Sequence, residues 1–129
     1  HVRSRRQRQM CIRDSTSFKE RYDEEIRCAE SHRILTKYQD RIPIIVEKCV
    51  KCELPHIEKQ KFLVSKDLTL GQFIYIIRKR IDLNAEQALF IMVNNTLAPN
   101  NITLSELYEA HKDIDNFLYI KYTSENTFG

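Results

Sequence analysis

Cysteine and histidine spacing supplies the first candidate chemistry in this chain. Cys49 and Cys52 form a Cys-x-x-Cys pair with His56 nearby, and Cys28 and His32 stand one helical turn apart. Such a set suits a zinc ion or a redox dithiol. A closed zinc site needs four ligands and no second Cys-x-x-Cys follows, so ordinary loop cysteines and no metal are the expectation. A hydrolase is a poorer reading. His32, His56 and His111 are scattered, and Gly71 and Gly129 are the only glycines. That leaves no Gly-flanked nucleophile and no Gly-rich phosphate loop. Neither catalysis nor a cofactor is expected.

Recognition chemistry centres on residues 59–81, KQKFLVSKDLTLGQFIYIIRKRI. Lys61 to Ser65 alternates, with Phe62 and Val64 on one face and Lys61, Leu63 and Ser65 on the other, which predicts a strand. From Thr69 the period turns helical, with Leu70, Phe73, Ile74, Ile77 and Ile81 at spacings of three and four. Asp67 or Thr69 caps its start, and Arg78, Lys79 and Arg80 suit its carboxyl end. Tyr75 and Ile76 fall off the core stripe. Together with Leu63 they either finish the core or form a binding surface.

The elements around this stretch follow in order. Residues 17–38 are highly charged, with Ile26, Ala29, Ile34, Leu35 and Tyr38 as a thin apolar stripe, so one or two amphipathic helices are expected. Ser15, Thr16 or Ser17 can cap the first turn. Ile42, Ile44 and Val46 alternate with Ile45 and Glu47 in a strand whose Pro43 must lie where no amide donates. This strand and Lys61–Ser65 read as an antiparallel pair turning near Pro55 and His56. Asn84 to Gln87 reads as a turn. Residues 89–93 are apolar throughout, as in a strand buried on both faces, and Asn94-Asn95 ends it. Thr103 and Glu106 have capping-box spacing for a helix through about His111. Phe117 to Tyr122 is the last strand.

The predicted fold is α+β: a four-stranded mixed sheet with a crossover helix and extra amino-terminal helices, the ubiquitin-like β-grasp layout. The strand after the crossover is expected to be central and partly parallel. At 129 residues the chain makes one domain, and it contains no apolar run long enough to span a bilayer. Four cysteines without a disulfide pattern suit a reducing compartment. Net charge is +3, but residues 1–15 hold five arginines against one aspartate, so the remainder carries −1. Those fifteen residues lack apolar periodicity and are expected to be a disordered basic extension or an artefact, leaving residues 16–129 as the domain. They also lack interleaved aromatics, so no nucleic-acid partner is expected.

Ordered sequence blocks carry a family resemblance. Lys37 to Lys48, KYQDRIPIIVEK, resembles the KYPDRVPVIVEK segment of the autophagy ubiquitin-like modifiers, GABARAP and its light-chain relatives. Lys61–Ser65, Asp67–Phe73, Ile77–Ile81, Ile91–Asn95, Glu106–Tyr108 and Phe117–Tyr122 match further blocks of that family in order. The resemblance covers about residues 18–129 and is weakest over 18–28. It departs at Gln39, Val50 and Ser65, where the family commonly has proline, and at Gln60, often basic.

The resemblance implies a cytoplasmic protein lipid-anchored on autophagosomal membranes when conjugated. Conjugation would join Gly129 to phosphatidylethanolamine, with activating and conjugating enzymes and a processing cysteine protease as partners. It also implies autophagy receptors carrying aromatic-x-x-aliphatic motifs, bound by β-augmentation on Lys61–Ser65. By resemblance the aromatic pocket is Glu30, Ile34, Pro43, Ile45, Lys61, Leu63 and Phe117. The aliphatic pocket is Phe62, Val64, Leu68, Phe73, Tyr75 and Ile76. Arg41, Lys59, Lys61 and Arg80 would attract acidic residues flanking the motif. The alternatives are an unconjugated β-grasp adaptor in trafficking or cytoskeleton binding, and a modifier joined to protein amines.

Overall fold

The computed structural model describes residues 17–124 apart from 51, 53, 84 and 85. Gly129, the basic extension and the turn residues Asn84 and Ala85 lie outside them. Two amino-terminal helices come first, α1 (Phe18–Arg21) and α2 (Glu24–Lys37). Ser17 caps α1 through a capping box with Glu20, and Asp23 caps α2. Strands β1 (Arg41–Lys48) and β2 (Lys61–Ser65) follow. Helix α3 (Leu70–Arg80) is capped by Thr69, whose box partner is Gln72. Then come β3 (Phe90–Val93), β4 (Thr96–Leu97), α4 (Leu104–His111) and β5 (Leu118–Thr123). Thr103 and Glu106 close the capping box of α4.

The mixed sheet has five strands in the order β2-β1-β5-β3-β4. The extra strand, β4, is two residues long and pairs with β3 across Asn94-Asn95, both at positive φ (53° and 64°). Asparagine tolerates that backbone, which suits a tight hairpin. Centrality also differs from expectation. The last strand, β5, is central and runs parallel to β1, whereas β3 is antiparallel to β5. The helix α3 does connect strands of like direction, β2 and β3, but β1 and β5 lie between them. A crossover sets direction and not adjacency.

Each sheet face carries its own apolar cluster. Ile42, Ile44, Val46, Phe62 and Val64 join α3 and α4 in the main core, with Phe73 and Ile77 fully buried. Cys52, Leu54 and Ile57 belong to this core too, so the connection between β1 and β2 is packed, not a simple solvated turn. On the opposite face Phe18, Ile34, Ile45 and Phe117 form a smaller core beneath the amino-terminal helices. The expected stripe of those helices is only partly inward, because Ile34 is buried while Ile26 is 53% exposed. Among the described residues no helix is long and apolar enough to cross a membrane.

Candidate functional site at a sheet edge

Among the described residues strand β2 is outermost in the sheet, with β1 as its one neighbour. The register pairs Ile42 with Val64, Pro43 with Leu63, Ile44 with Phe62 and Ile45 with Lys61. Pro43 has no N–H, and the Val46 amide donates to the Gln60 carbonyl at 2.8 Å. In an antiparallel ladder hydrogen-bonded pairs alternate, so Phe62 and Val64 bond to β1 while Lys61 and Leu63 turn their N–H and C=O groups outward. The Arg41 guanidinium donates to the outward Leu63 carbonyl at 3.3 Å. The edge can therefore receive one more extended strand, with Lys61 and Leu63 as its pairing residues.

The side chains of β2 divide by face. Leu63 packs on the Ile34, Ile45 and Phe117 cluster, and Pro43 is buried beside it. Lys61 forms an ion pair with Glu30, which also receives Arg33 through two nitrogens at 2.8 and 3.1 Å. Arg33 first, then Lys61, holds the Glu30 carboxyl down at about 2. On the other face Phe62 and Val64 are buried, and the Phe62 ring meets Phe73 edge-on at 5.6 Å. Leu68 and Ile76 are half-buried against that core. Lys59 and Arg80 approach the Phe62 ring at 5.2 and 5.6 Å. Tyr75 stands apart, 60% exposed, with Lys79 over its ring at 4.9 Å. The residues assigned by resemblance thus gather as two clusters on opposite faces of one edge strand, with Tyr75 at the periphery and Gly129 outside the described residues. Among the described residues no group of three or more His, Cys, Asp or Glu could hold a metal, so Cys28 and His32 do not complete a site with Cys49 and Cys52.

A supporting network escaped sequence reasoning. Asp115 is fully buried and accepts from Arg27 and from the Tyr119 hydroxyl, each at 2.5 Å. Its other carboxylate oxygen accepts from the Phe117 amide at 2.9 Å, and its carbonyl from Ser31 at 2.6 Å. Burial, then the Asp115 hydrogen bond, pushes the Tyr119 hydroxyl above its ordinary range. This network ties α2 to the start of β5 and so sets the position of Ile34 over Phe117. Asp115 lies in a polar turn, DIDN, and its partner Arg27 is remote in sequence, so nothing local announces the pair.

Comparison with known proteins decides the kinship. The profile of the family described as autophagy protein Atg8, ubiquitin-like, matches residues 26–129. The chain belongs to the Atg8 family. Autophagy-related protein 8 of Candida glabrata is 54% identical over 114 residues, covering 88% of this chain and 97% of that relative. Autophagy-related protein 8e of Arabidopsis thaliana is 58% identical over 112 residues, covering 87% and 92%. Among solved structures, Trypanosoma brucei ATG8 superposes with a TM-score of 0.83 at 39% identity, covering 89% of this chain and 99% of that one. Plasmodium falciparum Atg8, solved in complex with an Atg3 peptide from the same organism, gives a TM-score of 0.81 at 35% identity, covering 88% and 99%. This Atg8-family chain is accordingly an autophagy ubiquitin-like protein, and its five-stranded mixed sheet with helices is the α+β ubiquitin-like fold.

Proposed function

We propose that this protein is a lipid-conjugated modifier that gathers receptors or cargo on autophagosomal membranes. Two steps compose the function. The Gly129 carboxyl, activated by ATP as an adenylate and carried as an enzyme thioester, forms an amide with the amine of phosphatidylethanolamine. The β2 edge then recruits partners bearing an aromatic-x-x-aliphatic motif. The observation that carries the second step is the outward pairing groups of Lys61 and Leu63, set between two apolar clusters on opposite faces. In an extended peptide, residues three apart point to opposite faces, so one side chain reaches the Leu63 face and the other the Phe62 face. Pairing supplies register, and the two pockets supply specificity. Glu30, Lys61 and Leu63 offer surface to the aromatic residue over a buried floor of Ile34, Pro43, Ile45 and Phe117, while Leu68, Tyr75 and Ile76 offer it to the aliphatic one over buried Phe62, Val64 and Phe73. Arg41, Lys59 and Arg80 attract acidic flanks. The Atg3 peptide in the Plasmodium complex supports a peptide-binding role, and we carry it over to the conjugating enzyme of this chain.

Reconstitution tests the reading. The chain is incubated with the family's activating and conjugating enzymes, ATP and phosphatidylethanolamine liposomes, and its intact mass is measured. One phosphatidylethanolamine adduct is expected, absent when Gly129 is deleted. Unmodified protein under conditions that conjugate a control family member would favour an unconjugated adaptor, and an adduct that persists without Gly129 would misplace the bond.

A further inference from the structure

Peptide binding leaves Cys49 and Cys52 without a role, yet one turn brings them together. The Cys52 amide donates to the Cys49 carbonyl at 3.3 Å, a bond between residues three apart that makes a β-turn just after β1. Such a turn holds its outer Cα atoms within about 7 Å, and a disulfide spans about 4.4–6.8 Å. The Lys48 ammonium donates to the carbonyls of both cysteines, at 3.0 and 2.8 Å, and so clamps the turn. Val50, a position where the sequence departs from the family, lies inside it and is 84% exposed, so the turn meets solvent.

The two thiols differ in access. Cys52 is buried in the main core, and its thiol donates to the Tyr122 carbonyl at 3.9 Å. Cys49 is half-buried and packs against that core. Both are free thiols. The same Tyr122 carbonyl accepts from the Cys49 amide at 2.9 Å, where β1 and β5 end side by side. Closing a bridge between the cysteines removes the thiol donor and keeps the amide bond, so the sheet can survive it. Cys28 sits on α2, which packs over the opposite face of the sheet.

An accessible cysteine beside a buried one has the layout of an attacking and a resolving thiol. We propose that Cys49 and Cys52 are a dithiol modification site, closed into a disulfide by exchange with a small disulfide such as oxidised glutathione. The Cys49 thiolate attacks one sulfur of glutathione disulfide, whose S–S bond breaks, and one glutathione thiolate leaves. The Cys52 thiol then gives its proton to water and attacks the Cys49 sulfur. That breaks the mixed disulfide and releases the second glutathione. Two protein thiols are oxidised, one glutathione disulfide is reduced, and the two protons lost by the protein end on the two glutathione thiols. The closed loop spans residues 49–52, so it gains less from restricting the unfolded chain than a long loop does, and the bridge stays reducible. A reversible bridge is the kind that a reducing compartment permits.

The test equilibrates the reduced full chain with glutathione buffers of rising disulfide fraction. Samples are quenched in acid, alkylated in denaturant and digested with trypsin. Cleavage after Lys51 separates the two cysteines, so a Cys49–Cys52 bridge appears as two joined peptides. The bridge should form in the parent and disappear on return to reduced glutathione. Cys52→Ala should stop at a glutathione adduct on Cys49. In Cys49→Ser, whose half-buried site should leave the melting temperature unchanged, glutathione should reach Cys52 at least about tenfold more slowly than it reaches Cys49 in Cys52→Ala. If Cys52→Ala loosens the core, the bridge in the parent and slow modification of Cys52 in Cys49→Ser still decide. Cys49 and Cys52 both alkylated in the most oxidising buffer, a glutathione adduct that persists on Cys49 of the parent, or a bridge from either to Cys11 or Cys28 instead would overturn the proposal.

Discussion

Truncating Leu63 to alanine should weaken an aromatic-x-x-aliphatic peptide while leaving the pairing of the edge intact. Alanine keeps the outward N–H and C=O, so only the side-chain contact is lost. The change removes three carbons, worth about 2.4 kcal/mol if fully buried at about 0.8 kcal/mol per methylene. Leu63 is already half-buried against the Ile34, Ile45 and Phe117 cluster, so a bound peptide covers only the remainder. The expected loss is about 1–2 kcal/mol, or roughly 5- to 30-fold in Kd. Lys61→Glu should behave differently. It sets a second carboxylate beside Glu30 and repels acidic flanks, so it should mainly slow association, and added salt should shrink the effect. Isothermal titration at low and high salt, with stopped-flow association rates, separates the two. A Leu63→Ala protein that binds like the parent would refute the packing argument.

Other perturbations probe the scaffold. Phe73→Ala empties a fully buried ring site beside Phe62 and should cost about 3–5 kcal/mol in urea unfolding, with weaker peptide binding alongside. Asp115→Ala strands Arg27 and Tyr119 in a buried setting and should also cost about 3–5 kcal/mol, readable as a lowered denaturation midpoint. Glu30 has a carboxyl lowered from 4.5 to about 2 in the fold, so its stabilisation is complete above about pH 4.5 and fades as pH falls toward 2. Glu30→Gln should flatten the acid limb of stability in that window, by a modest amount because the pair is partly solvated, and urea midpoints from pH 5 to pH 2 would show it.

Local patterns carried most of the fold. The alternation of Phe62 and Val64 against Leu63, the period of α3 and the capping box of Thr103 and Glu106 are short-range signals that appear in the structure where the residues put them, while of the two caps open for α3 the structure uses Thr69. Pro43 announced a non-donating position, and the register sets it opposite Leu63. The placement of β5 beside β1 was not legible, because strand adjacency depends on packing across the whole sheet. The hairpin at Asn94-Asn95 was visible only as a strand end, since Thr96 and Leu97 are too few to show a period. At the candidate site, the resemblance supplied the two residue sets, while the sequence could not reveal which backbone groups of β2 point outward. That depends on register. Ile26 misled for a related reason: its spacing fits the helix stripe, but in the first turn of α2 it is 53% exposed.

Amide hydrogen exchange, with and without a saturating aromatic-x-x-aliphatic peptide, tests the central claim most directly. In the free protein Phe62 and Val64 should exchange slowly, because β1 holds their amides, and Lys61 and Leu63 readily. Bound peptide should slow Lys61 and Leu63 and leave Phe62 and Val64 unchanged. Unaltered exchange at Lys61 and Leu63 in the complex, or new protection at Thr96 and Leu97 on the opposite edge instead, would contradict the account.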